Sequence, residues 1–435
     1  MGGVPPVLNV PIKKIKSGMI VARPVCHSRS GVHYVQKGYA LNRRTITRLT
    51  DLGVHSLWIE CGELPEVDGK TNERVVERQE QLGQTLSCSI DQLRGRTDAV
   101  VDCSGFEEKV GGLLNDILDD PTHQPLLATM TGDCGALVRH LTNCCYLCLL
   151  IGTQLSGYVR KQRRKMPPHV AEDVQQLGMG AFVHDLGKTR LPDEAQDTHI
   201  LCADAQDAAY RSHTTLGYEL LRGQVSALAA HMIVHHHQRF DGKGFPMVKS
   251  RVPGAGASGL RGEKTHIFAR ILAVADAFDH LLGTPQDPKP TILALHALQQ
   301  PAFAGWFDPV VVAALNRLMP PFMLGSVVTL TDGTRAVVVE NHGDAPCRPT
   351  VRLLFGEPGM PGGTISDEAI DLRTRRRLNV GRVDGVNVRP FFFDPPEIPD
   401  GVMAYWGLRC KAIRSITVAP AASAPHDESV TSTRR

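Results

Sequence analysis

Between residues 126 and 320 apolar side chains recur at spacings of three and four, the period of a helix that buries one face. The pattern runs through "ALVRHLTNCCYLCLLIGTQL", "AEDVQQLGMGAFVHDLG", "AYRSHTTLGYELLRG", "SALAAHMIVHHHQRF", "HIFARILAVADAFDHLL", "PTILALHALQQ" and "DPVVVAALNRLM". Successive stretches of this kind predict a buried helical bundle. On either side the period changes. Residues 1–60 carry the β-rich runs "VLNVPI" and "GMIVARPV", then "HYVQKGYALN" after a turn at Gly31, a helical "RRTITRLTDLG" and the strand "HSLWIE", together a small α/β module. Residues 61–125 are polar and interrupted by glycine, with helical patches at "NERVVERQEQL" and "VGGLLNDIL", as in a connector. After Pro320 apolar positions alternate. "GSVVTLTDGTRAVVVENHG" predicts two strands about an Asp332-Gly333 turn and "PTVRLLF" a third, so residues 321–418 form a small β domain. The tail, residues 419–435, is small, polar and proline-containing, and is expected to be disordered. The fold class is therefore mainly α, a helical bundle with a flanking module at each end.

Composition narrows the function. With 42% hydrophobic residues in a chain of 435, sizeable cores can form. A net charge of +3 leaves no footprint of a DNA or RNA binder, so an anionic ligand has to be held by a local cluster. The first residues lack the apolar stretch of a secretory signal, and no apolar run of about 18 residues is evident, so a cytoplasmic protein without a membrane span is expected. The 11 cysteines are scattered and odd in number, which fits reduced thiols. Cys145 and Cys148 have the CxxC spacing, but no second pair completes a metal set, and Leu147, Leu149, Leu150 and Ile151 surround them as in a core helix. The stretch "MVKSRVPGAGASGLRGEK" between two helices is long, glycine-rich and basic, a candidate lid.

The bundle also holds polar residues where apolar ones are expected: His140, His184, Asp185, His213, His236, His237 and Asp276. Each would need a partner or carry a desolvation penalty of roughly 1–3 kcal/mol. Shared cation ligation satisfies all of them. Imidazole with carboxylate suits first-row metals such as iron, manganese or zinc, and paired ions of this kind hydrolyse phosphodiesters. His235, adjacent to His236, would point away from it by about 100° on a helix.

These residues lie in "HDLGK" at 184, "LPDE" at 191, "SHTTLGYELL" at 212, "HHHQRFDGKGFP" at 235 and "ARILAVADAFD" at 269, with "WFDPVVVAAL" closing the series. In order and spacing they resemble the HD-GYP family, cyclic di-GMP phosphodiesterases of the metal-dependent HD superfamily. The flanking segments resemble the N-terminal α/β and C-terminal barrel-like β modules found beside some HD-GYP domains. The resemblance implies a central HD-type bundle and two divalent ions, iron or manganese, held by the seven residues above with Asp185 bridging. It implies an activated hydroxide that opens cyclic di-GMP to linear pGpG, with further hydrolysis to GMP left open. Lys188 falls where the family has a lysine near metals and substrate phosphate. Phe245 takes the place of the tyrosine of Gly-Tyr-Pro and would offer a ring for guanine stacking. That turn is also tied in the family to binding diguanylate cyclase (GGDEF) domains.

Three departures bear on activity. Ala136 stands one helical turn before His140, where three-metal members have a glutamate, so two ions are expected. Gln238 stands where the family has glutamate. The segment "HLLGTPQDPKP" lacks the family's arginine stretch, leaving Lys289 nearby, with Lys249, Arg251, Arg261 and Lys264 of the candidate lid as substitutes for phosphate binding. Two alternatives follow: a degenerate domain acting as a cyclic di-GMP sensor or protein-binding adaptor, and another HD-superfamily nucleotide phosphohydrolase.

Overall fold

A computed structural model describes residues 7–397 apart from 27–32, 55, 61–63, 65–69, 71, 94–100, 102, 122, 128–134, 197, 202–206, 250–255, 285–286 and 357–362. Arg251 and the expected disordered tail, 419–435, lie outside the described residues.

The N-terminal segment pairs β1 (Val7–Pro11) with β4 (Ser56–Glu60) and β2 (Val25–Cys26) with β3 (His33–Val35), both antiparallel. Helix α1 (Arg43–Asp51) precedes β4 and is capped by Asn42, whose Oδ1 accepts from the Thr45 backbone N–H at 2.9 Å. Met19, Val21, Leu49, Leu57 and Ile59 make its core, which continues into Val337, Val339 and Leu354 of the C-terminal sheet.

The long α2 (Glu73–Leu93) and α3 (Ser104–Asp119) follow. Then come α4 (Ala136–Gln154), α5 (Ser156–Gln162), α6 (Pro168–Glu172), α7 (Gln175–Val183), α8 (Asp193–Gln196), α9 (Ala208–Arg211), α10 (His213–Leu221), α11 (Ala227–His235), α12 (Ile267–Leu281), α13 (Thr291–Leu298) and α14 (Pro309–Leu318). Leu82, Leu86, Phe106 and Val110 of α2 and α3 share one core with α4, α7 and α12, so the polar stretch read as a connector supplies a wall of the bundle. Phe106 meets Phe182 edge to face at 5.1 Å.

Helix α4 is the central rod. It is 19 residues long with mean hydropathy 1.3, enough by length and composition to cross a membrane, where the sequence reading expected no such stretch. Its apolar surface is used inside the protein instead: 78% of that window is buried, including Cys144, Cys145 and Cys148, all free thiols. Burial pushes the thiols of Cys145 and Cys148 well up, so they stay protonated core residues. Close crossing of α4 and α7 depends on Gly178, where an added Cβ would lie 2.6 Å from Leu149 Cδ2.

A two-residue hairpin, β5 (Gly283–Thr284) with β6 (Asp287–Pro288), leads from α12 to α13. The C-terminal unit is a six-stranded antiparallel sheet in the order β10-β9-β8-β7-β11-β12. Its strands are β7 (Val327–Leu330), β8 (Arg335–Glu340), β9 (Thr350–Phe355), β10 (Thr364–Asp371), β11 (Val380–Val383) and β12 (Val386–Asn387). The β7–β8 turn is made at Gly333, φ +89°, with Asp332 Oδ1 accepting from the Thr334 N–H at 2.9 Å. Ile292 and Leu293 of α13 pack against this sheet.

Candidate metal centre

Five helices converge on one site. His140 lies on α4. His184 and Asp185 follow the last residue of α7, His213 opens α10, His236 and His237 follow α11, and Asp276 lies on α12. The 3-10 turn Leu186–Arg190 that follows Asp185 rests directly on α10, and Gly187 makes that approach possible. An added Cβ there would sit 2.0 Å from the His213 carbonyl oxygen.

The structure brings all seven residues together, with none more than 5% exposed. Asp185 is the centre of the group. Its Oδ1 lies 3.2 Å from His213 Nε2 and 3.4 Å from His236 Nε2. Its Oδ2 faces the other way, 3.7 Å from His184 Nε2 and 3.8 Å from His140 Nε2. Asp276 is similarly divided, with Oδ1 3.3 Å from His140 Nε2 and Oδ2 3.7 Å from His237 Nδ1. Asp185, His213, His236 and His237 form one group whose donor atoms could share an ion, and His140 with Cys144 and His184, or with Asp276 and His280, forms others.

The outer nitrogens explain why the inner ones are available. His184 Nδ1 donates to the Ala181 carbonyl at 2.8 Å, His236 Nδ1 to Ile233 at 2.9 Å and His213 Nδ1 to Tyr210 at 2.5 Å, each three residues back. His140 Nδ1 is held at 2.8 Å by Asp279 Oδ2, whose Oδ1 accepts from Asn143 Nδ2 at 2.7 Å. These bonds assign the tautomer and aim each Nε2 inward, the arrangement that metal-binding imidazoles use. His237 is reversed: Nε2 meets Tyr210 Oη at 3.1 Å, so Nδ1 faces the centre.

The donor set fits a cation on an observation independent of the motifs. His184 Nε2, Asp185 Oδ1 and Asp276 Oδ1 are buried without a hydrogen-bond partner, an arrangement that costs roughly 1–3 kcal/mol per atom unless something else coordinates them. Protonation states agree for His184 and Asp185. Burial pulls the His184 imidazole down to about 3, leaving it neutral. Burial pushes the Asp185 carboxyl up, but Lys188 and then His184 and His213 outweigh it and hold it well below the carboxylate range. Neutral imidazole and ionised carboxylate are the forms that ligate. His140 differs: burial lowers it, yet the Asp276 and Asp279 carboxylates beside it carry it up to about 9, so an ion bound there would displace its second proton. The Lys188 ammonium, 4% exposed, lies 2.6 Å from Asp185 Oδ2 and 5.6 Å over the Tyr210 ring.

Residues 148–311 match the HD domain family, and residues 327–387 match a KOW domain associated with HD domains. The chain is 24% identical over 375 residues to the cyclic di-GMP phosphodiesterase PA4108 of Pseudomonas aeruginosa, covering 80% of this chain and 85% of that one. The central unit is an HD-GYP domain. It is also 36% identical over 153 residues to the cyclic di-GMP phosphodiesterase response regulator RpfG of Xanthomonas campestris pv. campestris, over 34% of this chain and 37% of that one. A solved structure, Bd1817, an HDG"Y"P protein from Bdellovibrio bacteriovorus, aligns at 15% identity and a TM-score of 0.42 over 72% of this chain and 98% of that one.

Lys289 is exposed and paired with Asp287 at 2.6 Å. Lys249, Arg261 and Lys264 are exposed. Phe245 is 5% exposed and packs 4.8 Å from His237 and 6.1 Å from Tyr210, with the Arg211 guanidinium 4.9 Å over it. His235 pairs with His231 at 4.4 Å, outside the seven-residue group.

Gln238 shows why an amide occurs there. Its Nε2 donates to the Pro246 carbonyl at 2.6 Å and its Oε1 accepts from the Leu260 N–H at 2.7 Å, joining the Gly-Phe-Pro turn to the far end of the candidate lid. Carboxylate cannot donate. Gln238→Glu is therefore expected to lose one bond and set a charge against the Pro246 carbonyl, at about 1–3 kcal/mol. Urea unfolding should show the loss, with no gain in turnover. Restored or raised turnover in this variant would mean that the position serves catalysis instead. Asp279, Asn143, Tyr210 and His280 escaped the sequence reading, because their roles come from contacts between elements and no spacing signals them.

Proposed function

We propose that this HD-GYP domain hydrolyses cyclic di-GMP to linear pGpG. The observation that carries the reading is the two-sided Asp185 carboxylate, one oxygen toward His213 and His236 and the other toward His140 and His184. Asp185, His213, His236 and His237 would hold one divalent ion, and His140, His184, Asp185 and Asp276 a second. Such a pair, iron or manganese with this donor set, supplies an activated water and stabilises the leaving oxygen of a phosphodiester. The protein's own residues do the rest. The outer hydrogen bonds of His140, His184, His213 and His236 fix ligand orientation. Lys188 holds a positive charge beside the bridging carboxylate, where it offsets negative charge growing on the phosphoryl oxygens. Catalysis is assigned to residues 126–320, joined by α2 and α3, whose side chains complete that core. The relatives named above, cyclic di-GMP phosphodiesterases, support the substrate.

Purified protein loaded with manganese or anaerobic ferrous iron should convert cyclic di-GMP to pGpG on ion-exchange chromatography. A chelator should abolish the conversion and added metal restore it. Cyclic di-GMP bound but not consumed under every loading would replace this reading with the sensor or adaptor one, and turnover confined to nucleoside phosphates would favour a different HD phosphohydrolase.

A further inference from the structure

We infer that His280 is an additional ligand of the metal centre, bound to the ion that His140 and Asp276 hold. This rests on the metal-centre reading above. His280 Nε2 lies 3.1 Å from Asp276 Oδ1, the same oxygen that stands 3.3 Å from His140 Nε2. Donor atoms of His140, Asp276 and His280 all lie within 4.8 Å of one another. Neighbouring ligands at a right angle on one ion with bonds of about 2.1 Å stand about 3 Å apart, so these spacings need only small adjustments. Asp276 Oδ1 is buried without a hydrogen-bond partner. The 3.1 Å approach is thus not a well-aligned hydrogen bond, as expected of two ligand atoms placed around a shared cation.

The ring is also held for the purpose. His280 stacks on His140 at 4.3 Å and 23° and, on its other face, on His199 at 4.3 Å and 16°. His199 is itself positioned by the Leu201 N–H, which donates to its Nδ1 at 3.3 Å. A ring clamped on both faces keeps its orientation with little further loss of freedom, as a ligand should. His280 lies one helical turn after Asp276, so both side chains share a face of α12. Its side chain is 17% exposed, which places it at the mouth of the centre and not beneath it. The consequence is a metal position richer in imidazole than the motif residues alone provide, which favours iron or zinc over manganese.

The alternative is that His280 merely donates a hydrogen bond to Asp276. The two differ in what glutamine can replace, because its amide donates a hydrogen bond and offers no imidazole nitrogen. Apo-protein is reconstituted with cobalt(II), and visible ligand-field spectra and retention against a chelator are compared for wild type, His280→Ala and His280→Gln, with circular dichroism to establish folding. Both variants are expected to show shifted cobalt bands and about tenfold or more weaker retention of one cobalt equivalent. Spectra and retention that match wild type in either folded variant overturn the assignment. A wild-type protein that binds no cobalt overturns the metal-centre reading, and the assignment with it.

Discussion

Asp185→Asn is expected to lower both bound metal and cyclic di-GMP hydrolysis by about a hundredfold or more, with the bundle still folded. The change keeps the side chain's shape and removes one of the two negatively charged oxygens that face opposite histidine sets. Changes that only reorient a ligand already cost roughly 10–100-fold in metal affinity or activity, and in the proposed two-ion site the loss of the Asp185 charge would act on both ions together. Lys188 loses its partner at 2.6 Å in the same substitution and is left as a buried cation beside neutral rings. Metal analysis by mass spectrometry and steady-state turnover check the expectation. Normal metal content in Asp185→Asn would remove Asp185 from the centre, and normal turnover would remove the centre from the chemistry.

The largest effect on stability is expected well away from those residues. Asp308 is 1% exposed at the start of α14. Its Oδ1 caps the helix by accepting from the Val310 N–H at 3.0 Å, and its Oδ2 accepts from Tyr158 Oη at 3.0 Å and from Arg270. Arg270, on α12 and 4% exposed, also reaches the Thr265 carbonyl at 3.0 Å and Gln162 at 2.8 Å. Asp308→Ala therefore strands a buried guanidinium and uncaps a helix, with an expected loss of about 3–5 kcal/mol. Asp308→Asn can keep the cap and should lose less. The urea midpoint of the helical circular-dichroism signal measures both. A loss below about 1 kcal/mol, the range of exposed ion pairs, would show that the network contributes little.

The seven central residues were legible because each is a polar side chain interrupting an apolar helical period, a conflict that only a shared partner resolves. Helix α4 was legible for the same reason in reverse, since its apolar residues run all round and a largely buried rod needs no polar face. What supports the ligands was not legible. Asp279 and Asn143 sit on different helices and meet only in the folded chain. The packing of Phe245 4.8 Å from His237 arises only once the turn is folded, and Gln238 reads as a lost charge until its two bonds show that an amide is required. Helices α2 and α3 were undervalued because their apolar stripe is narrow against a polar background. Strand β10 left almost no alternation in "TISDEAID", since it lies at the sheet edge with most side chains outside the core and a register shift between Ile365 and Ala369. Edge strands carry weak patterns because neither face is fully covered.

The central claim is that two ions flank Asp185 and are both needed for hydrolysis. The most direct test titrates metal-free protein with ferrous iron or manganese and follows cyclic di-GMP turnover against ions bound per chain. Turnover should stay low through the first equivalent, rise with the second and reach its plateau at two. Full activity at one bound ion, or undiminished activity in the metal-free protein, would contradict the account.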